Sequence, residues 1–100
     1  MARLARLVSI SFPGVHGEMP PVERARRAVE AVSARIDEAA YDKPDIIVLP
    51  ETFTALGGDG GKDWFASAEP IPGPTTDALA AKAKQHSTHI VCPILEVRDG

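Results

Sequence analysis

The sequence has few metal-binding or redox-active residues. It contains one cysteine, Cys92, and three histidines, His16, His86 and His89, among its 100 residues. A single cysteine excludes an internal disulfide framework and fits a reducing compartment, so the expected location is the cytoplasm. A zinc site needs three or four ligands at suitable spacing, and no cysteine–histidine pattern supplies them. These residues therefore predict neither a metal nor a cofactor.

Long apolar runs and an excess of basic residues are also missing. No segment approaches the roughly 18 apolar residues that a membrane span requires. The arginines and short apolar run of residues 1–12 could suggest a signal peptide, but Pro13 and Gly14 follow without a cleavage site, so a first strand is expected. The net charge is −3 and aromatic residues make up 5% of the chain. Neither a membrane nor a nucleic acid is expected as a partner.

Hydrophobic periodicity predicts an α/β fold. Apolar runs predict strands over residues 5–12, 45–49 and 89–97, and helical spacing predicts helices over residues 22–41 and 74–86. The predicted inner face of the first helix comprises Val22, Ala25, Val29, Val32, Ile36 and Ala40. Residues 52–73 are rich in loop-forming residues, with a short helical turn expected near Trp64. The order β-α-β-α-β and the uninterrupted apolar second strand indicate a mostly parallel sheet.

Glu51 directly follows the predicted second strand. Pro50 cannot extend the hydrogen-bond ladder, so the strand should end there. Ligands of open α/β sheets bind beyond the carboxyl ends of the strands. A carboxylate at the end of a dry strand loses hydration and becomes a stronger general base. A surface glutamate that opens a loop is the alternative, and the spacing alone leaves both interpretations open.

Three stretches resemble the nitrilase superfamily of carbon–nitrogen hydrolases. Residues 45–53, Asp-Ile-Ile-Val-Leu-Pro-Glu-Thr-Phe, are similar to the segment that carries the family's catalytic glutamate. Residues 69–75, Glu-Pro-Ile-Pro-Gly-Pro-Thr, resemble the start of its second helix. Residues 83–100 resemble the end of that helix and the third strand with its closing Glu-Arg-Asp-Gly, here interrupted by Val97. The resemblance covers about residues 5–100.

The resemblance implies a partial nitrilase-like α-β-β-α sandwich. Residues 1–100 would be the N-terminal part of a single, apparently truncated carbon–nitrogen hydrolase domain. The dipeptide Asp99-Gly100 adds to this expectation, because it is typical of a hairpin turn and no returning strand follows. The family's fold is usually paired with a second subunit, so a homo-oligomer is expected for the full-length protein.

The same resemblance implies a Glu-Lys-Cys triad that acts on a small amide, nitrile or carbamoyl compound. A cysteine thiolate attacks the carbon, the glutamate transfers protons, and the lysine stabilises the charged intermediate before water hydrolyses the thioester. Only the glutamate position, Glu51 as general base, is matched here. The lysine and cysteine would lie beyond Gly100, so residues 1–100 alone should be inactive. The alternative function is a non-catalytic α/β binding or regulatory module.

Other candidate residues have simpler explanations. Cys92 lies within an apolar strand, where burial makes a thiol inert, so we expect core packing. Lys82 and Lys84 are expected on a solvated helix face. Phe53 and Trp64 flank the loop after Glu51, where they either line a substrate pocket or fill gaps beneath the loop.

Overall fold

A computed structural model describes residues 3–99 and shows the predicted α/β architecture. In this part of the chain the strands and helices are, in order, β1 (Leu7–Ser9), α1 (Pro21–Ala39), β2 (Ile46–Val48), α2 (Lys62–Ala66), α3 (Pro74–His86) and β3 (His89–Val91). A single 3-10 turn, Ala40–Asp42, follows α1. The predicted fold class is thus confirmed. The predicted turn at the C-terminus includes Gly100, which lies outside the described residues, as do Met1 and Ala2.

The three strands form one parallel sheet in the order β1-β2-β3. β2 occupies the centre, where Ile47 pairs with Val8 on one side and Ile90 on the other. Ile47 is fully buried in the core. Ile46 and Val48, whose side chains point to the opposite face of the sheet, are half-buried. An apolar run that serves both faces is typical of a strand in a parallel sheet.

The core lies between the sheet and helices α1 and α3. Its buried members are Ile10, Ala28, Val32, Ile36, Ile47, Leu49, Phe53 and Leu79. The core therefore depends on one central strand, one long helix and the turn that contains Phe53.

None of the helices in residues 3–99 is long and apolar enough to cross a membrane.

The predicted inner face of α1 was wrong in part. In α1 the buried ridge is Arg24, Ala28, Val32 and Ile36, whereas Val22 is 78% exposed. A ridge of residues four apart is inclined to the helix axis, and Val22 lies off it.

The predicted first and third strands, residues 5–12 and 89–97, were both too long. The first is limited to Leu7–Ser9. β3 ends at Val91, and Pro93, which has no N–H, follows closely. Beyond Pro93 the chain pairs with the segment before α3. The Glu69 N–H donates to Leu95 O at 3.0 Å, and Glu69 O accepts from the Val97 N–H at 3.1 Å. The residues after β3 are therefore held by the segment before α3 rather than by the sheet.

An ionic cluster joins α1 to α3. Lys82 Nζ lies 2.9 Å from both carboxylate oxygens of Asp37, and His86 Nε2 lies 2.8 Å from Asp37 Oδ1. The predicted solvated position of Lys82 was thus incomplete, since its ammonium contacts another helix. The His86 and Lys82 hydrogen bonds lower the pKa of Asp37 below its ordinary value of 3.8.

Replacing Asp37 with Asn should lower the free energy of unfolding by about 0.5–1 kcal/mol, since the side chain is partly exposed and its ion pairs are screened. A carboxylate with a lowered folded pKa stabilises the protein above its unfolded pKa, and the contribution is lost as the pH falls through the folded value. Urea unfolding should show the difference between wild type and variant shrinking below pH 3.8. Glu38→Gln, an exposed acid on the same helix, is the control; equal effects of both variants would contradict the role of Asp37.

Candidate active site

Glu51 lies on a tight turn at the carboxyl end of β2. Leu49 extends the ladder by one residue, since its N–H donates to Val91 O at 3.1 Å, and the ladder then stops before Pro50 as predicted. Glu51 itself is exposed. The expectation that its carboxylate loses hydration is therefore wrong within residues 3–99. No hydrogen bond or ion pair among these residues involves that carboxylate. The centre of the strand is buried, but the turn after it places Glu51 outside the core.

The residues that follow Glu51 return directly into the core. Thr52, Phe53, Thr54 and Ala55 are all buried, and Phe53 is completely inaccessible. Ala55 N–H donates to Thr52 O at 2.9 Å, and the Thr52 hydroxyl donates to Glu51 O at 2.8 Å. Phe53 therefore fills the space beneath the turn, the second of the two roles considered for it. Trp64, in contrast, is 39% exposed.

The loop after β1 is packed against this turn. Val15 N–H donates to Leu56 O at 2.9 Å. Gly14 and Gly57 both have positive φ values, 95° and 93°, and an added Cβ at either one would lie within 2.6 Å of the opposite backbone. Only glycine fits such a contact without displacing a neighbour. The loop after β1 and the segment after the Glu51 turn thus pack together as one unit.

Arg24 holds the same edge together, a role that the sequence did not reveal. Its side chain is 4% exposed and lies 3.8 Å from Asp63 of α2. Its guanidinium donates to Val15 O at 2.6 Å and to Gly17 O at 2.9 Å. Its burial in α1 depends on these two carbonyls of the loop after β1. Arg24 therefore links the β1 loop to α2.

Cys92 packs against the core as predicted. Burial, with a smaller effect from the Glu69 carboxylate, raises the pKa of the Cys92 thiol from 9.0 to about 11. Because the thiolate is the reactive form, this cysteine is a poor nucleophile near neutral pH. Its environment is that of a structural thiol.

The three histidines have different surroundings and make no contact with one another. His86 contacts Asp37, His16 Nε2 lies 3.0 Å from Pro13 O, and His89 is exposed on β3. Among residues 3–99 no group of three or more histidine, cysteine, aspartate or glutamate side chains is placed to hold a metal ion.

Alkylation of Cys92 should be slow in the folded protein. A rise in pKa from 9.0 to about 11 leaves roughly 100-fold less thiolate at pH 8 than in the unfolded chain. Iodoacetamide labelling followed by mass spectrometry, with and without urea, measures this ratio. Equal rates in the two conditions would show that the thiol is accessible and ionised in the native state.

Comparison with known proteins identifies the family of the chain. The family model for carbon–nitrogen hydrolases matches residues 17–100, and the chain therefore belongs to that family, within the nitrilase superfamily. The chain is also similar to a nitrilase of Paraburkholderia phymatum, with 32% identity over an alignment that covers 77% of this chain and 26% of that protein. The chain thus spans about a quarter of the length of this relative.

Proposed function

We propose that this protein hydrolyses a non-peptide carbon–nitrogen bond in a small amide, nitrile or carbamoyl compound, with Glu51 as the general base. The observation that carries the proposal is the position of Glu51 at the carboxyl end of a buried central strand, within the region matched by the family. This edge is where open α/β sheets bind their ligands.

In the proposed mechanism Glu51 takes a proton from the attacking group and returns it to the leaving nitrogen. The attacking group would be a cysteine thiol, whose proton passes to Glu51 as the sulfur attacks the carbon. The nitrogen takes up this proton and leaves, which produces a thioester that water then hydrolyses. Cys92 is unsuited to this role, because its thiol is half-buried and its pKa is raised to about 11. The nucleophile and a lysine that stabilises the charged intermediate would therefore come from other residues.

We further propose that residues 1–100 form the N-terminal part of one carbon–nitrogen hydrolase domain. The match to about a quarter of the related nitrilase supports this arrangement. The exposed carboxylate of Glu51 supports it too, since further chain packed against the carboxyl edge would remove water from the site. A homo-oligomer in the cytoplasm belongs to the same proposal.

The proposal is tested by measuring ammonia release from a panel of small amides, nitriles and carbamoyl compounds. The longer protein that contains these residues should release ammonia from at least one of them, whereas residues 1–100 alone should release none. Turnover by residues 1–100 alone would overturn the proposal that the catalytic cysteine and lysine come from other residues. A longer protein that is folded and inactive on the whole panel would favour a non-catalytic binding or regulatory module.

A further inference from the structure

The residue after Glu51 has a strained backbone that the proposed mechanism does not explain. Thr52 has a φ of 48°, in the left-handed region, where the Cβ of an L-residue crowds the following carbonyl. A branched residue such as threonine is a genuine outlier there. Strain of this kind persists only where the surrounding structure imposes it, and it is concentrated at functional sites.

The surroundings of Thr52 do impose this conformation. Before the turn, Leu49 is 2% exposed; after it, Phe53 and Thr54 are 0% and 2% exposed. The chain must therefore leave the core and re-enter it within a few residues. Pro50 has a φ fixed by its ring, so it cannot supply the reversal. The left-handed residue at Thr52 supplies it instead.

The same contacts fix the backbone of Glu51. The Thr52 hydroxyl donates to Glu51 O at 2.8 Å, and Ala55 N–H donates to Thr52 O at 2.9 Å. Thr52 itself is 7% exposed. Between Leu49 and Ala55 only Glu51 is exposed, and Pro50 is half-buried. Its backbone is held although its carboxylate has no partner within the described chain.

We propose that Thr52 is a positioning residue: its left-handed backbone and its hydroxyl bond set the direction in which Glu51 leaves the sheet. This proposal rests on the proposed function of Glu51. A catalytic base must be held close to its productive geometry, and misplacement by about 1 Å can lower the rate roughly 100-fold. The left-handed backbone of Thr52, which the buried residues on either side impose, keeps the base at the tip of the turn.

Three variants of the longer, active protein test this role. Thr52→Gly accepts the left-handed backbone without strain but removes the restraint and the hydroxyl. Thr52→Asn also accepts that backbone and keeps a polar, more restricted side chain. The matched control is Thr54→Gly, because Thr54 is a buried threonine of the same turn whose φ is not positive.

The Tm of Thr52→Gly should equal or exceed that of the wild type, whereas Thr54→Gly should lower the Tm. The kcat of Thr52→Gly should fall by roughly tenfold to 100-fold with little change in KM. Thr52→Asn should retain most of the kcat. A loss of kcat without a loss of stability is what a merely structural threonine would not produce.

The role of Thr52 is overturned if Thr52→Gly lowers the Tm as Thr54→Gly does, if it keeps the wild-type kcat, or if Thr52→Asn loses as much kcat as Thr52→Gly. In those cases the wild type is still active, so the proposed function stands. A wild type that hydrolyses none of the substrate panel overturns the proposed function and the role of Thr52 together.

Discussion

Replacing Glu51 with Gln should reduce the kcat of the longer protein by roughly 10²- to 10⁴-fold, the range expected for the loss of a general acid–base group. The amide of glutamine has nearly the shape of the carboxylate but cannot take a proton. Because Glu51 is exposed within residues 3–99, the same substitution in residues 1–100 should change the free energy of unfolding by less than about 0.5 kcal/mol. The two measurements are steady-state ammonia release and urea unfolding.

Glu18→Gln is the matched control for that experiment. Glu18 is an exposed glutamate in the loop after β1, so the substitution removes the same charge from the same edge of the sheet. It should leave both kcat and stability near the wild-type values. A similar loss of kcat in both variants would indicate a general electrostatic effect rather than a base at position 51.

Replacing Phe53 with Ala should lower the free energy of unfolding by about 3–5 kcal/mol. The Phe53 side chain is completely buried, and its loss leaves a cavity beneath the Glu51 turn. Since small domains are stable by only about 5–15 kcal/mol, this is the largest stability effect that we expect from a single substitution. Urea unfolding followed by circular dichroism measures it.

Phe65→Ala removes the same ring from a side chain that is 81% exposed, and it is the control. It should change stability by no more than about 0.5 kcal/mol. If the two alanine variants unfold at the same urea concentration, Phe53 does not hold the turn in the core.

Features that depend on neighbouring residues were predictable from the sequence. The helix α3 begins at Pro74, and the Gly73 N–H is satisfied by the Thr76 hydroxyl at 2.8 Å, so its first turn is determined locally. The second strand was predictable for a similar reason: an apolar run that ends at a proline has few alternatives. The position of Glu51 at the edge of the sheet follows from these local features.

Features that depend on tertiary packing rather than on local sequence preference were not predictable. Arg24 is buried because carbonyls of Val15 and Gly17 accept its hydrogens, and nothing near it in sequence indicates this. Local preference argues against a left-handed Thr52, yet the burial of Phe53 imposes that conformation. The exposure of Glu51 was missed for the same reason, since burial of a strand does not determine the environment of the turn that follows it.

The central claim is that Glu51 acts on the reacting atoms, and a crystal structure of the longer protein with a bound substrate analogue tests it most directly. We expect a Glu51 carboxylate oxygen within about 2.6–3.2 Å of the attacking group or the leaving nitrogen, directly or through one water. A bound analogue whose nearest acid–base group is a different residue, with the Glu51 carboxylate still facing solvent, would contradict the claim.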